Sequence, residues 1–487
     1  MNSSVVKVLE THRVFLPQGS GSVPPCDVPL TYFDVLMLSV PPVQQLFFYD
    51  SSLSTPEFRD SQFPLLKHSL SLALSIFYPF AGRLVPLTES YPGDSVIRYS
   101  AGDSVPLTLA ESHADFARLA GNHSKEAKEF HPLLSPLELP EINSDGDDVE
   151  GKLLQELLPL VAFQVTVFPG SGVSVGFVAK HVVADGFAGT HFWKTWASIF
   201  KAGGDVSAVK GDLPVCDRSP LHGHELLQQL KRDHLLMQRE AGKENQKKLA
   251  VTTSISESKP GYERGNDEQL GRVTRSTFVL TRAHIEKLRG DVFSSADDPI
   301  VVGPRQPSTF VVACAFVWTL LAKSRNVPGE QTVYLGCAAD CRRRLSPPVP
   351  ASYFGNCITL VVVEATQGEL TGERGLVTAS EAIHAAIRRL EEEGPALEDA
   401  ESRLRKWVEV VKERPLTIAA SPRFRMYDTD FGWGRARKVE IVSIDCTGAI
   451  SMAENPGEGG GIEIGAAGPE EEMLRFTRLF EQGVVTI

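Results

Sequence analysis

The feature that most limits what this chain can become is a long polar interruption. From Gly203 to about Arg272 the apolar patterning of the rest of the sequence stops, and KAGGDVSAVKGD is followed by a charged amphipathic stretch around Leu226 to Gln238 and then by GKENQKK and SISESKPGYERGNDEQ. This composition reads as a crossover linker with one embedded helix. A chain of 487 residues is long enough for about two to three domains and a large buried core. The interruption divides it into an N-terminal unit, 1–202, the linker, 203–272, and a C-terminal unit, 273–487.

Both units are patterned as mixed helix and strand. In the first, Phe63 to Leu74 carries a helical stripe, and Leu160 to Phe168 sets Val161, Phe163, Val165 and Val167 against smaller or polar neighbours, as a half-buried strand would. In the second, VTRSTFVL reads as a strand, Thr281 as the N-cap of TRAHIEKLRG, and STFVVACAFVWTLLAKS as an apolar helix. Ser380 to Glu393 and its continuation GPALEDAESRLRKWVEVVKE read as solvated or half-buried helical faces.

Several functions are disfavoured at once. No apolar run approaches the ~20 residues that span a bilayer, and MNSSVVKVLETHRVFLPQ lacks the basic and apolar regions of an export signal. A net charge of -12 without a Lys/Arg stripe argues against nucleic acid or an anionic membrane as partner. The 7 cysteines are odd in number and scattered, which suits reduced thiols in the cytoplasm. Cys337 and Cys341 lack further ligands at zinc spacing, so no metal is expected.

Two short stretches carry chemistry. In KHVVADG, His181 and Asp185 fall at a strand-to-helix corner: Ser174 to Lys180 reads as a strand, and Phe192, Trp193, Trp196, Ala197 and Phe200 share one face of the helix that follows. Such corners favour active-site residues in open α/β sheets, although a satisfied histidine at a strand end, with Asp185 as a turn or cap residue, is the blander interpretation of the spacing alone. The overlapping Gly172-Val-Ser174-Val-Gly176 fits the nucleophile elbow of serine hydrolases, but more strand follows Ser174 where a helix is required. Far downstream stands Asp430-Phe-Gly432-Trp433-Gly434; a kinase would also need a catalytic loop and a glycine-rich loop, and neither is present.

Taken together and in this order, KHVVADG and DFGWG closely resemble the plant BAHD acyltransferases, which use acyl-CoA thioesters. The resemblance extends to LTYFDVLML, FYPFAGRL, ADCRRRLSPPVPASYFGNC and GGIEIG. Tyr353-Phe-Gly-Asn-Cys357 is similar to the pentapeptide of the branch that acylates anthocyanins and other flavonoid or phenolic glycosides. The fold this implies is α/β, with two similar-sized chloramphenicol-acetyltransferase-like domains and a channel at their interface.

The resemblance implies His181 as general base, with acyl-CoA as co-substrate and no permanently bound cofactor. An imidazole with pKa near ~6.5 suits taking a hydroxyl proton and returning it to a departing thiolate. Asp185 is implied to be structural, its expected partner being Arg342, and Asp430, Gly432, Trp433 and Gly434 are structural too. Ser308, Thr309, Arg435 and Lys438 are candidate CoA contacts; Phe187, Thr417 and Ser421 are placed on the acceptor side. Malonyl is the favoured donor. That preference rests on the similarity of Tyr353-Phe-Gly-Asn-Cys357 to the glycoside-malonylating branch. Phe187 stands where a basic residue would have argued for malonyl and keeps hydroxycinnamoyl as the alternative, while Arg423 and Arg425 supply a cation only if their side chains turn inward. A hydrolase using the same histidine is a more distant one. The partners implied are small molecules, acting on a monomer.

Overall fold

The computed structural model describes residues 6–19, 22–85, 96–137, 158–221, 227–230, 272–295, 307–325, 327–392, 394–457 and 459–486. Seventeen strands fall into three sheets among these residues. The first sheet runs β1 (Lys7–Phe15), β6 (Ser104–Glu111), β9 (Val161–Phe168), β10 (Gly172–Ala179), β3 (Val43–Asp50) and β15 (Lys438–Ile441). The second runs β13 (Ile358–Thr366), β12 (Thr332–Asp340), β14 (Leu416–Ala419), β16 (Ile450–Glu454), β17 (Ile462–Pro469), β11 (Val273–Leu280) and β7 (Lys125–Glu126). A small sheet of β2 (Cys26–Pro29), β5 (Val96–Tyr99), β4 (Arg83–Val85) and β8 (Leu158–Pro159) flanks the first.

The two larger sheets are the centres of two α/β domains, but the chain does not keep its halves apart. Strand β15, from beyond the linker, pairs antiparallel with β3, setting Val439 opposite Phe47. Strand β7, from the first unit, pairs with β11. A division at 203–272 therefore describes the sequence, while each sheet takes an edge strand from the other side of it. Of the linker helix expected around Leu226 to Gln238, residues 227–230 are helical and the remainder lies outside the described residues.

Strand β9 is buried at every position, where alternation had pointed to one exposed face. The reason is its place between β6 and β10, with a covering layer on each side of the sheet. One layer is helical: Phe63–Ile76 and Gly186–Lys201 pack against each other, joined by Trp196 Nε1 donating to Ser69 Oγ at 3.0 Å. The apolar face of Gly186–Lys201 enters an aromatic cluster in which Trp193 and Trp196 stack at 5.4 Å and Phe163 meets Trp196 edge-on at 5.3 Å. Such pairs add about 0.5–1.5 kcal/mol each beyond the apolar area they bury. The second domain is built differently, around the helix Thr309–Ser324, whose Val, Ala, Leu and Cys side chains are buried on nearly all sides. Ser308 caps that helix, its Oγ accepting from Val311 N at 3.3 Å. The helix Gly375–Glu392 is half-buried as expected, and the segment after it forms a separate helix, Ala400–Val410.

Candidate active site

Strand β10 ends at Ala179, the chain makes a short 3-10 turn over His181–Val183, and the helix Gly186–Lys201 begins. Asp185 is the N-cap of that helix, its Oδ1 accepting from Ala188 N at 3.0 Å. Capping leaves the carboxylate free to bond sideways, and Arg342 grips it with two parallel bonds, Nη1 to Oδ2 at 3.0 Å and Nη2 to Oδ1 at 3.1 Å. The backbone amide of Cys357 donates a further bond to Oδ2 at 3.0 Å. Both side chains of the pair are buried. The carboxylate raises the Arg342 pKa above its ordinary value against the opposing effect of burial. The expected partnership is therefore present, and Asp185 is fully engaged on the side of the corner facing the second domain.

His181 is half-buried. Its Nδ1 lies 3.1 Å from Asn356 Oδ1, and among the described residues no serine, threonine or cysteine side chain is bonded to its ring. Asn356 lies within the pentapeptide noted in the sequence, yet nothing in the sequence assigned it a role. Its Nδ2 donates to His181 O at 2.9 Å, Val182 O at 3.1 Å and Asp34 Oδ1 at 3.0 Å. Asp34 is in turn paired with Arg218 in an ion pair with no solvent exposure, Nη1 to Oδ2 at 2.5 Å. Arg218 Nη2 also reaches Val183 O at 3.1 Å. The N-terminal segment, the crossover and the second domain thus meet on one histidine. Ser174, by contrast, is buried within β10 with its hydroxyl unpartnered, which disposes of the nucleophile elbow.

The DFGWG stretch is a turn pinned to the first domain. Asp430 Oδ1 accepts from Gly432 N at 2.7 Å and Gly434 N at 3.0 Å, while Oδ2 takes Lys201 Nζ at 2.5 Å. Gly432 and Gly434 adopt φ of 87° and 91°, a backbone region that costs other residues strain. Phe431 meets Trp196 edge-on at 5.1 Å, and Trp433 Nε1 donates to Gln62 Oε1 at 3.1 Å. A cavity of about 440 Å³ runs along the neighbouring flank of the helix, lined by His191, Lys194, Lys201 and Lys210 among others.

The remaining candidates are scattered. Phe187 is 41% exposed, with its ring 5.2 Å from the Arg342 guanidinium. Thr417 lies on β14 opposite Gly336 of β12. Ser421 Oγ accepts from Arg423 N at 3.3 Å in a turn whose Phe424 occupies the space that a Cβ on Gly186 would need. Thr309 Oγ1 accepts from Arg289 Nη2, and Arg435 pairs with Asp428. Lys438 must be corrected: it is 2% exposed, with Nζ 2.9 Å from both Glu463 and Asn122, so its charge is spent inside the protein and not offered to a phosphate. Arg423 and Arg425 do not turn inward: both are exposed, and Arg425 is held by Asp428 at 2.6 Å.

A paired histidine corner between two α/β domains defines an acyltransferase-like architecture, and comparison with known proteins supplies the family. The model of the Transferase family matches residues 6–482, and the chain belongs to this family, the BAHD acyltransferases. It is 33% identical, over 99% of its length and 96% of the relative's, to malonyl-coenzyme:anthocyanin 5-O-glucoside-6'''-O-malonyltransferase of Salvia splendens. It is 32% identical, over 98% of its length and 97% of the relative's, to coumaroyl-CoA:anthocyanidin 3-O-glucoside-6''-O-coumaroyltransferase 1 of Arabidopsis thaliana. Its fold is that of vinorine synthase, matched at a TM-score of 0.64 and 18% identity over 97% of this chain and 96% of that one. No helix among the described residues is long and apolar enough to cross a membrane.

Proposed function

We propose that this protein transfers an acyl group, malonyl in preference, from an acyl-CoA to a hydroxyl of a flavonoid, anthocyanin or other phenolic glycoside, acting as a cytoplasmic monomer. The observation that carries the reading is a half-buried imidazole held from one side, on a corner locked by Asp185 and Arg342, with no nucleophilic side chain among the described residues bonded to it. A covalent acyl-enzyme needs an activated serine or cysteine beside the base. Direct transfer does not. The free ring nitrogen of His181 takes the proton of the acceptor hydroxyl as its oxygen bonds to the thioester carbonyl carbon. Collapse of the tetrahedral intermediate breaks the carbon–sulfur bond, and the same nitrogen returns the proton to the thiolate. The substrates reach His181 from opposite mouths of a channel between the domains. CoA lies toward Ser308, Thr309 and Arg435, and the glycoside toward Phe187, Thr417 and Ser421.

The relatives named for malonyl and coumaroyl transfer leave the donor to be argued from charge. A malonyl carboxylate entering the channel needs a cation. Lys180, adjacent to His181, is half-buried and pairs with no carboxylate among the described residues, and burial lowers its pKa below the usual value. A bound carboxylate would offset that burial. The exposed ring of Phe187 favours a flat aromatic acyl group as the second reading.

The test mixes the protein with acyl-CoA and a flavonoid glucoside. Free CoA should appear only when both are present; release without acceptor would identify a hydrolase. At equal concentrations malonyl-CoA should outcompete coumaroyl-CoA by more than about 1.4 kcal/mol, a factor of ten in kcat/KM. His181→Ala should lower the rate by about 10²–10⁴-fold in a folded protein.

A further inference from the structure

We infer that Asn356 is a positioning residue that fixes the proton of neutral His181 on Nδ1 and leaves Nε2 bare as the base, with Asp34 and Arg218 holding Asn356 in the orientation that does so. The inference rests on the proposed role of His181 and extends it to the tautomer and its cause.

A primary amide is nearly symmetric in shape but not in chemistry, so its orientation follows from its partners. The Asn356 Nδ2 position faces three oxygens: Asp34 Oδ1 at 3.0 Å, His181 O at 2.9 Å and Val182 O at 3.1 Å. Turned over, the amide would set its own oxygen against a carboxylate and two carbonyls, all acceptors. Only one orientation survives, and it aims Oδ1 at His181 Nδ1, 3.1 Å away. That oxygen can only accept, so Nδ1 must donate. A neutral imidazole has one proton, and Nε2 is left with its lone pair.

The anchor behind Asn356 is equally constrained. Asp34 Oδ2 is occupied by Arg218 Nη1, Thr31 N at 2.8 Å and Thr31 Oγ1 at 2.7 Å. Its Oδ1 is left for Asn356, accepting both Nδ2 and the backbone amide at 3.2 Å. Asp34 and Asn356 have no solvent exposure and Arg218 has 2%, so water does not compete for these bonds. The choice of an amide also has a chemical consequence. When Nε2 accepts the hydroxyl proton, a neutral carbonyl stabilises the imidazolium less than a carboxylate in the same place would, so the proton passes on readily to the leaving thiolate.

The full-length protein, labelled with ¹⁵N-histidine, gives the test through long-range proton–nitrogen correlation at a pH where the ring is neutral, with His181→Ala used to assign the signals. The expected pattern for His181 is a protonated Nδ1 and a bare Nε2. In Asn356→Ala the population should move toward the Nε2-protonated form, and kcat should fall at least about 10-fold. A wild-type His181 protonated on Nε2 overturns the inference whatever the variants do, and so does an unchanged tautomer in a folded Asn356→Ala protein. Should that variant not fold, the wild-type spectrum decides alone. Activity retained by His181→Ala would instead strike at the proposed base, a failure separable from the tautomer measured in the resting protein.

Discussion

Two buried ionic seams join the halves of this protein, and they do different work. One lies at the histidine corner, where Asp185–Arg342 and Asp34–Arg218 tie three distant stretches of chain together. The other lies where the two larger sheets meet. There Arg275 of β11 pairs with Glu440 of β15 at 2.7 Å and with Asp445 at 2.9 Å, and Lys438 of β15 pairs with Glu463 of β17 at 2.9 Å. Tyr427 adds its hydroxyl to Glu463 at 2.5 Å. The first seam touches backbone and side chain of His181 through Asn356; among the described residues the second bonds to nothing at the corner. Similar chemistry therefore sets geometry in one place and joins domains in the other.

The largest effect should come from cutting the first seam. Asp185→Ala leaves the Arg342 guanidinium buried with only the exposed Asp340 as a counter-charge, and should cost about 3–5 kcal/mol together with most of the activity. Charge reversal, Asp185→Arg with Arg342→Asp, should recover some stability without the full rate. A variant with unaltered melting temperature and no turnover would make Asp185 directly catalytic and collapse the distinction between base and scaffold.

Cutting the second seam should affect stability alone. Lys438→Met leaves Glu463 buried without its cation, again about 3–5 kcal/mol in a denaturant titration, while kcat per folded molecule stays at the wild-type value. A fall in kcat would show that the sheet junction reaches the site after all.

The second seam also contains a titrating group. Burial pulls the Lys125 pKa from 10.5 to about 8. Below pH 8 folded and unfolded chains both hold the proton and the burial penalty is present in full. Between about pH 8 and 10.5 the unfolded chain binds more proton, so stability should rise with pH, by about 3 kcal/mol at most. Comparing unfolding free energies across that range with those of Lys125→Met isolates the contribution; equal slopes would remove Lys125 from the seam's energetics.

The smallest effect is expected at the solvent edge of the first seam. Phe187→Leu removes the ring 5.2 Å from Arg342 and should cost about 0.5–1 kcal/mol. A larger loss of coumaroyl than of malonyl transfer in the same variant would mark the ring as part of the acyl slot.

The histidine corner was legible because it is local: a strand, a histidine, a capping aspartate and an amphipathic helix follow one another within a few turns of chain. Resemblance supplied Arg342. The sequence could not reveal Asn356, Asp34 and Arg218 as a unit, since Asp34 bonds Arg218 across 184 positions and Asn356 across 322, and each residue alone resembles an ordinary polar side chain. Lys438 was misread for the same reason. In the sequence it belongs to the basic stretch RARK, and only the pairing of β15 with β3 turns it inward.

By itself the sequence determined the elements and the chemistry available to them: periodicity chose helix or strand, capping residues chose boundaries, and an imidazole at a strand end offered a base. Tertiary structure decided which strands became neighbours, which charges were buried and what faced each nitrogen of His181. Those outcomes depend on contacts between residues far apart in the chain, whose energies are large only after water has been excluded, a condition no local stretch of sequence can create.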